Sequence, residues 1–276
     1  MFKRFLLMTG ILALAASCAQ KGPRTLVLYY SQTSNTKAVA EEIASRLGAD
    51  LEEVVVVNPY EDDFKATIDR CLKEREEGIL PEVQPISADL SKYDVIFLGY
   101  PIWFGTYAPP MAAVLEGLDL AGKKVVPFCT FGSGGLDSSV SDLAAKQPDA
   151  VILPGYGVRA ARIDAAPAEI DRFLKAGGFI EGEYTAPEPF PEVHPVSEDE
   201  AALFDAAVDG YPMLHAEAVE VASRTVPEGT EYLFTAKDLP REDMPADFAP
   251  EADPKPIKVY VLAEEGKAPV FTQIVR

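Results

Sequence analysis

Three short segments of the chain carry groups that could bind a ligand, and the first spans residues 31–36. It reads Ser-Gln-Thr-Ser-Asn-Thr and connects a run of strand-forming residues with a helical pattern. The unpaired N–H groups and the dipole of a helix N-terminus attract anions, and hydroxyl and amide groups add further hydrogen-bond donors. The alternative is a polar turn that caps the helix, but this would need only one such side chain. The segment therefore predicts a site for a phosphate monoester.

The second segment, residues 100–107, contains the only tryptophan of the chain. Its sequence is Tyr-Pro-Ile-Trp-Phe-Gly-Thr-Tyr, so Trp103 and Phe104 stand together in a predicted loop. An aromatic side chain in a loop is favourable only when it has a contact partner, and a flat aromatic ligand is a natural one. Packing of Trp103 into the protein core is the alternative.

The third segment, residues 131–135, is rich in glycine. It reads Phe-Gly-Ser-Gly-Gly and follows an apolar run. Because glycine has no side chain, a flat ligand can approach the backbone closely and accept hydrogen bonds from its N–H groups. Taken alone, the segment is also compatible with a flexible turn before a helix.

Short apolar runs and helical patterns alternate from residue 25 onward, and they determine where the three segments lie. Strands are predicted at 25–30, 51–57, 95–99, 124–130 and 150–155, and helices at 36–47, 64–77, 111–118, 136–146 and 167–176. Strands that are apolar along their whole length are buried on both faces, as in a parallel sheet covered by helices. The alternation predicts an α/β fold with a five-stranded, doubly wound parallel sheet. The three segments then lie together at the carboxyl edge of the sheet, where such folds bind ligands.

With these motifs in these positions, residues 25–183 resemble the flavodoxins, and most closely the flavodoxin-like proteins of anaerobic bacteria. The resemblance implies a domain that binds FMN, with the redox chemistry supplied by the flavin. The residues that it assigns to the phosphate group are Ser31, Thr33, Ser34, Asn35 and Thr36. Those that it assigns to the flavin ring are Pro101, Trp103 and Phe104, with Trp103 stacked on the ring, and Thr130, Gly132, Gly134 and Gly135, through their backbone.

Two departures from the flavodoxin pattern bear on the predicted site. Flavodoxins usually have glycine at the position of Ser34, so a positive φ there would be strained. Many also place a second aromatic side chain, often tyrosine, in the third segment, where this chain has glycine after Phe131. One face of the flavin is therefore expected to be open, which suits hydride transfer or access by a quinone more than outer-sphere electron transfer.

The last third of the chain is predicted to form a second domain. Four prolines between residues 187 and 195 indicate a stiff linker over residues 184–196. Residues 197–276 predict a small α+β domain, with one helix followed by an antiparallel sheet. The helix is predicted at 198–208 and the strands at 218–226, 230–236, 257–263 and 270–275.

This second domain resembles, more weakly, the cystatin-like domains of secreted bacterial proteins. The residues that carry the resemblance are those of Ala202–Phe204, Val226–Tyr232 and Val259–Val261. The Gln-x-Val-x-Gly hairpin with which cystatins enter a protease cleft is missing from the corresponding segment. A docking or lid module over the flavin domain is therefore expected in preference to a protease inhibitor.

The N-terminus predicts export and a lipid anchor. Two basic residues precede an apolar stretch, Phe5–Ala16, which is shorter than the about 20 residues of a membrane-spanning helix and is typical of a secretory signal. The small residues before Cys18 resemble the lipobox of bacterial lipoproteins, with Ala15 in place of the usual leucine. The resemblance implies a signal peptide over residues 1–17, diacylation of Cys18, a tether over residues 18–24 and an exported protein on the periplasmic or cell-surface face of the envelope. Ordinary cleavage, with a cysteine nearby by chance, is the alternative.

The remaining cysteines and the histidines point to structural roles. Cys71 and Cys129 lie in apolar patterns and are expected to be buried and unpaired, with a disulfide as the alternative. His194 and His215 are interpreted as surface residues. Two histidines and three cysteines are too few to suggest a His/Cys metal site.

The charge balance limits the partners. The chain has 25 basic and 44 acidic residues, a net charge of −19, which argues against nucleic acid. Residues 184–276 carry −12 of this charge, so a basic partner is expected for them. Together the features predict a lipid-anchored, FMN-binding electron-transfer protein that exchanges electrons with a partner protein or a small molecule. The alternatives are an FMN-dependent NAD(P)H or quinone reductase, and a binding protein that has lost FMN.

Overall fold

The computed structural model describes residues 24–239 and 256–276, which form two units. The first unit contains β1 (Thr25–Tyr29), α1 (Asn35–Leu47), β2 (Asp50–Glu53), α2 (Phe64–Glu77), β3 (Val95–Trp103), β4 (Thr106–Tyr107), α3 (Pro109–Gly117), β5 (Lys124–Phe131), α4 (Leu136–Lys146), β6 (Val151–Ile152), β7 (Tyr156–Arg159) and α5 (Ala166–Ala176). The second contains β8 (His194–Pro195), α6 (Glu198–Val208), β9 (Ala216–Val226), β10 (Gly229–Asp238), β11 (Ile257–Ala263) and β12 (Val270–Val275).

The first unit is built on a parallel sheet with the strand order β2-β1-β3-β5-β6. β4 pairs with β3 in the antiparallel direction, and β7 pairs with β5 in the parallel direction. β1, β3 and β5 lie at the centre because their side chains are apolar on both faces. One face packs a core that includes Met111 and Leu143, and the other packs a core that includes Ile43 and Ile170. The predicted α/β fold with helices on both faces of a parallel sheet is confirmed.

The second strand is shorter than predicted. β2 ends at Glu53, whereas the apolar run continues to Val57. Val54 and Val56 are buried in the core of the first unit, and Val56 pairs with Val83 in an isolated antiparallel bridge. The run therefore forms a connection in which Val54 and Val56 are buried and Val55 and Val57 are exposed, a role that hydrophobicity alone does not distinguish from a strand.

Two further strands differ at their ends. β3 continues past Gly99 to Trp103, because its last two residues pair with β4 in a short hairpin. Of the predicted strand at 150–155 only Val151–Ile152 forms a strand, β6, and the sequence Leu-Pro-Gly at 153–155 separates it from β7, which was not predicted. Proline has no N–H to donate to the ladder, so the strand breaks there.

The second unit is a five-stranded antiparallel sheet, β12-β11-β10-β9-β8, with α6 packed against it. α6 begins after Ser197, whose hydroxyl accepts a hydrogen bond from the N–H of Glu200 in a capping box. Phe204 of α6 packs on Phe234 of β10, with the ring centroids 5.1 Å apart. The predicted small α+β unit is confirmed. The strand β8 comes from the end of the predicted proline-rich linker and pairs with β9 at the edge of the sheet, a position that tolerates proline.

Cys71 and Cys129 are buried and form no disulfide, as expected. Burial raises the pKa of the Cys71 thiol to about 11 and the pKa of the Cys129 thiol well above its ordinary value. The signal peptide, Cys18 and the tether predicted at the N-terminus lie outside the described residues. Within the described ranges, no helix is long and apolar enough to cross a membrane.

Candidate functional site

The first segment, residues 31–36, connects β1 with α1 at the carboxyl edge of the sheet. The N–H of Lys37 donates to Oγ of Ser31 at 3.2 Å, and the N–H of Ala38 begins the helical pattern by donating to the carbonyl of Ser34. The N–H groups that precede them belong to the first turn, for which a helix supplies no acceptor. This end of α1 therefore has backbone N–H groups without an acceptor within the helix, and the phosphate site predicted there stays a prediction.

Ser34 has φ = 64° and ψ = −3°, in the left-handed region. A positive φ at this position is strained for a residue with a side chain, and the chain adopts that φ in spite of it. Strained backbone of this kind is often found at ligand sites, because the surrounding structure holds it in place. The turn that flavodoxins make with glycine is thus made here with serine.

Thr36 connects the first segment to the end of β5. Its Oγ1 lies 2.8 Å from Oγ1 of Thr130, and both residues are almost completely buried. Thr33, by contrast, is exposed and its Oγ1 accepts a hydrogen bond from Nδ2 of Asn35. The Thr36 hydroxyl therefore joins the first segment to the residue that immediately precedes the third segment, while the Thr33 side chain remains at the surface.

The second segment places Trp103 at the end of β3. The indole is half-buried and lies edge-on to two tyrosine rings, with centroid distances of 5.1 Å to Tyr60 and 6.1 Å to Tyr30. The Tyr60 hydroxyl donates to a carboxylate oxygen of Glu74 at 2.6 Å, and burial and this carboxylate raise the pKa of Tyr60. Trp103 thus has contact partners within the protein, which was the alternative left open in the sequence. Its predicted stacking on the flavin stays a prediction.

Phe104 lies in the turn between β3 and β4. It has φ = 51°, followed by Gly105 with φ = 83°, and Arg75 of α2 lies 5.2 Å from the centre of its ring. The carbonyl of Gly105 accepts a hydrogen bond from the hydroxyl of Ser138 at 2.6 Å. This bond joins the second segment to the start of α4, so that all three segments are connected.

The third segment is covered by the second unit. The N–H of Ile274 in β12 donates to the carbonyl of Ser133 at 2.6 Å. A Cβ atom at Gly134 would lie 2.1 Å from the carbonyl oxygen of Ile274, and one at Gly135 would lie 2.6 Å from a methyl group of Ile102. The glycines therefore permit a close approach, as predicted, but at Gly134 the atoms that approach belong to β12.

Arg159, which was not predicted from the sequence, stabilises this contact. Its Nε donates to the carbonyl of Gly132 and its Nη1 to the carbonyl of Phe271, both at 2.8 Å. The guanidinium also lies 3.4 Å from the centre of the Phe271 ring and 5.4 Å from that of Tyr211. Burial lowers the pKa of Arg159 to about 10, so the group remains charged at neutral pH. No local motif marks Arg159, because its partners lie in the third segment and in the second unit.

The second and third segments and the second unit line a cleft of about 1230 Å³ that is open to solvent on one side. One wall contains Phe104 with Gly105 and the residues from Gly132 to Ser138, and α2 contributes Phe64 and Arg75 at one side. The opposite wall contains Tyr211, Met213, Asp238, Ile257 and the end of β12. An aromatic and glycine-rich wall faces a mixed polar and apolar wall, an arrangement that suits a flat ligand.

Residues 24–168, just over half of the chain, match the family model described as Flavodoxin. The chain belongs to the flavodoxin family. Among solved structures it is similar to a putative flavoprotein from Bacteroides eggerthii, with 30% identity over 54% of this chain and 96% of the other and a TM-score of 0.47. It is also similar to a flavoprotein from Lactobacillus acidophilus in complex with FMN, with 27% identity over 55% of this chain and 99% of the other and a TM-score of 0.47. No curated protein matches the chain.

The flavodoxin-family segment ends before the second unit begins, so the family accounts for only one side of the cleft. The sequence identified the first wall through the second and third segments. It missed Tyr211 and Asp238 in the second wall and Tyr60 beside Trp103. The signal for Tyr211 and Asp238 was the prediction that the second domain docks over the flavin domain, which named no residue.

Proposed function

We propose that the protein binds FMN and transfers electrons. The observation that carries the proposal is the connection of the three segments at one edge of a flavodoxin-family sheet, through Thr36 with Thr130 and Gly105 with Ser138. The cofactor is FMN, which supplies the redox chemistry, while the chain binds and orients it. Flavodoxin-family membership and the free backbone donors of the first segment support this assignment.

The described residues fit the two ends of this cofactor. The N–H groups of the first turn of α1, together with the side chains of Ser31, Thr33 and Ser34, would hold the phosphate group. The ring would lie between the second and third segments, with Phe104 on one side and the backbone of residues 132–135 on the other. Trp103 would contact the ring while Tyr60 and Tyr30 fix its orientation. The second unit would exclude water from the third segment.

Purification of the full chain in detergent tests the proposal. We expect a yellow protein that releases one equivalent of FMN on denaturation and that, after photochemical reduction, passes electrons to ferricyanide. A colourless protein that takes up no added FMN would contradict cofactor binding. A protein that binds FMN but reduces no acceptor would contradict electron transfer.

The acidic character of the chain supports a basic redox partner. Residues 184–276 carry a net charge of −12. Clustered charge attracts a partner of opposite sign, and added salt shortens the range of this attraction. Reduced protein should therefore transfer electrons to cytochrome c, a small basic protein, at a rate that falls as salt is added. The rate with ferricyanide, an anion, should rise under the same conditions.

A second candidate function is that of an FMN-dependent NAD(P)H or quinone reductase. The observation that favours it is the cleft, which leaves space beside the predicted ring position. Anaerobic mixing of the FMN-loaded protein with NADH or NADPH would bleach the flavin absorbance if this activity is present. Absence of bleaching with both nucleotides, together with absence of oxidation of the reduced protein by a quinone, would exclude it.

We further propose that Cys18 is lipidated and holds the protein on the cell envelope. The signal-like N-terminus supports this. The wild-type chain should then appear in the membrane fraction and incorporate a fatty-acid label, whereas Cys18→Ser should incorporate none. Equal labelling of the two proteins would contradict the proposal.

A further inference from the structure

Two consecutive carbonyl groups of the third segment are hydrogen-bonded where the two units meet. The carbonyl of Gly132 accepts from Nε of Arg159 at 2.8 Å, and the carbonyl of Ser133 accepts from the N–H of Ile274 at 2.6 Å. Arg159 is itself held by β12, because its Nη1 donates to the carbonyl of Phe271. The side of the segment on which the two carbonyls lie is therefore occupied by Arg159 and β12.

The directions of these carbonyls determine where the N–H groups of the same peptides point. In a trans peptide the C=O and the N–H of the following residue lie on opposite sides. The N–H of Ser133 therefore points away from Arg159, and the N–H of Gly134 points away from Ile274. Ser133 and Gly134 both line the cleft. The side of the segment that remains for a ligand is thus the side on which these two N–H groups lie.

The positive charge of Arg159 acts on the first of these peptides. Its guanidinium is bonded to two carbonyl oxygens and lies near the rings of Phe271 and Tyr211, and none of these groups carries a full negative charge. A charged donor polarises the peptide that it binds, so the N–H of Ser133 becomes a stronger donor. Because the side chain is half-buried, salt and water screen this effect less than they would at an exposed site.

We infer that Arg159 is a positioning residue for the flavin ring, an inference that rests on the proposed function. Together with β12 it directs the N–H groups of Ser133 and Gly134 to the ring. Hydrogen-bond donors and positive charge beside a flavin favour its reduced form, which carries the added electrons. Because Phe271 and Ile274 belong to β12, the second unit takes part in setting the reduction potential of the cofactor.

A comparison of two dissociation constants tests the inference. Oxidised FMN is titrated into the full-length apoprotein, with its fluorescence as the signal. The midpoint potential of the FMN-loaded protein is then measured at equilibrium with a reference dye, and the two values together give the dissociation constant of reduced FMN. A residue that only stabilises the fold would change both constants by the same factor and would leave the potential unchanged.

Two substitutions of Arg159 are compared with the wild type. Arg159→Met removes the charge and the donors, so its affinity for reduced FMN should fall about tenfold more than its affinity for oxidised FMN. This difference corresponds to a two-electron potential that is about 30 mV lower. Arg159→Lys keeps the charge but lacks the fork that reaches two carbonyl groups. Its affinities should differ by about threefold, which lowers the potential by about 15 mV.

Arg172→Met is the matched control. Arg172 of α5 also joins the two units, through an ion pair with Glu228 in the turn between β9 and β10. The substitution removes the same charge and one contact between the units, but at a place other than the third segment. The potential should therefore remain that of the wild type.

The outcomes separate this inference from the proposed FMN site. If Arg159→Met binds FMN with the potential of the wild type, the inference fails and FMN binding stands. An equal shift in Arg172→Met would assign the effect to net charge, and a wild-type potential in Arg159→Lys would assign it to local charge alone; either result overturns the positioning role. If Arg159→Met does not fold, the smaller shift in Arg159→Lys decides. If the wild-type chain takes up no FMN, the proposed function fails and this inference fails with it.

Discussion

The first and the third segment differ in the part of the chain that they contact. The first makes its hydrogen bonds within residues 31–38 and with neighbours in the first unit, and it exposes Thr33 and Ser34 at the surface. The third, residues 131–135, is covered by β12, more than a hundred residues further along the chain. The phosphate end of the site is therefore built within the first unit, and the ring end is completed by the second unit. The difference predicts that substitutions in the third segment disturb the whole molecule, whereas those in the first act locally.

The largest effect is expected from Gly134→Ala. The added Cβ would lie 2.1 Å from the carbonyl oxygen of Ile274, which is backbone and cannot move aside without displacing β12. We expect the free energy of unfolding to fall by about 3 kcal/mol, and the proline-rich residues 184–193 to become more sensitive to protease as the units separate. Urea unfolding and limited proteolysis measure the two effects.

Gly117→Ala is the control for this prediction, because no atom lies within 4 Å of its added Cβ. It should leave the free energy of unfolding nearly unchanged and should not increase proteolysis. If Gly134→Ala behaved like this control, the close contact between the third segment and β12 would not exist in solution.

Trp103→Ala addresses the second segment, which lies between the other two. We expect the affinity for FMN to fall by about 2 kcal/mol if the indole contacts the ring. Trp103→Phe should retain most of the affinity, because it keeps an aromatic surface beside Tyr60. Fluorescence titration of the apoprotein with FMN gives both values, and thermal unfolding of the apoprotein reports any loss of packing. Unchanged affinity in the alanine variant would remove Trp103 from the binding site.

Thr36→Val tests the contact between the first segment and β5. The substitution preserves the shape of the side chain but leaves the buried hydroxyl of Thr130 without the partner that lies 2.8 Å away. The free energy of unfolding should fall by about 1 kcal/mol. Thr33→Val, at an exposed position of the same segment, should have no measurable effect on urea unfolding. If Thr36→Val and Thr33→Val had the same free energy of unfolding, the hydrogen bond between Thr36 and Thr130 would not stabilise the protein.

The smallest effect is expected from Ser34→Gly. Glycine adopts a positive φ without strain but gains conformational freedom in the unfolded chain, so the two contributions partly cancel. We expect a stabilisation of about 0.5 kcal/mol in urea unfolding. Ser31→Gly, at a position that has no positive φ, should destabilise the protein instead. A loss of stability in Ser34→Gly would show that the serine side chain matters more than the backbone strain.

The sequence predicted the first unit well because its signals are local. The alternation of apolar runs with helical patterns, and the position of residues 31–36 after β1, are sufficient to predict the sheet and the start of α1. Within residues 150–155 only Val151–Ile152 forms a strand, because Pro154 interrupts the ladder before β7 begins at Tyr156. The role of Val54–Val57 could not be read from hydrophobicity, because a connection with alternating buried and exposed valines has the same composition as a strand.

The ring end of the site could be predicted only in part. The glycines at 132–135 indicate that something approaches the backbone closely, but not that Ile274 is what approaches Gly134. Arg159 and Asp238 lie in stretches without a motif, and their partners are far away in sequence. Such residues become recognisable only when the docking of the second unit brings their partners to them.

Two of the hydrogen bonds that join the two units use the main chain of the second unit. Arg159 donates to the carbonyl of Phe271, and the carbonyl of Ser133 accepts from the N–H of Ile274. Main-chain groups are the same whatever side chain a residue carries. The outer surface of the second unit is thus free to change its side chains during evolution while the docking persists. One flavodoxin-family unit could in this way be combined with second units of different specificity.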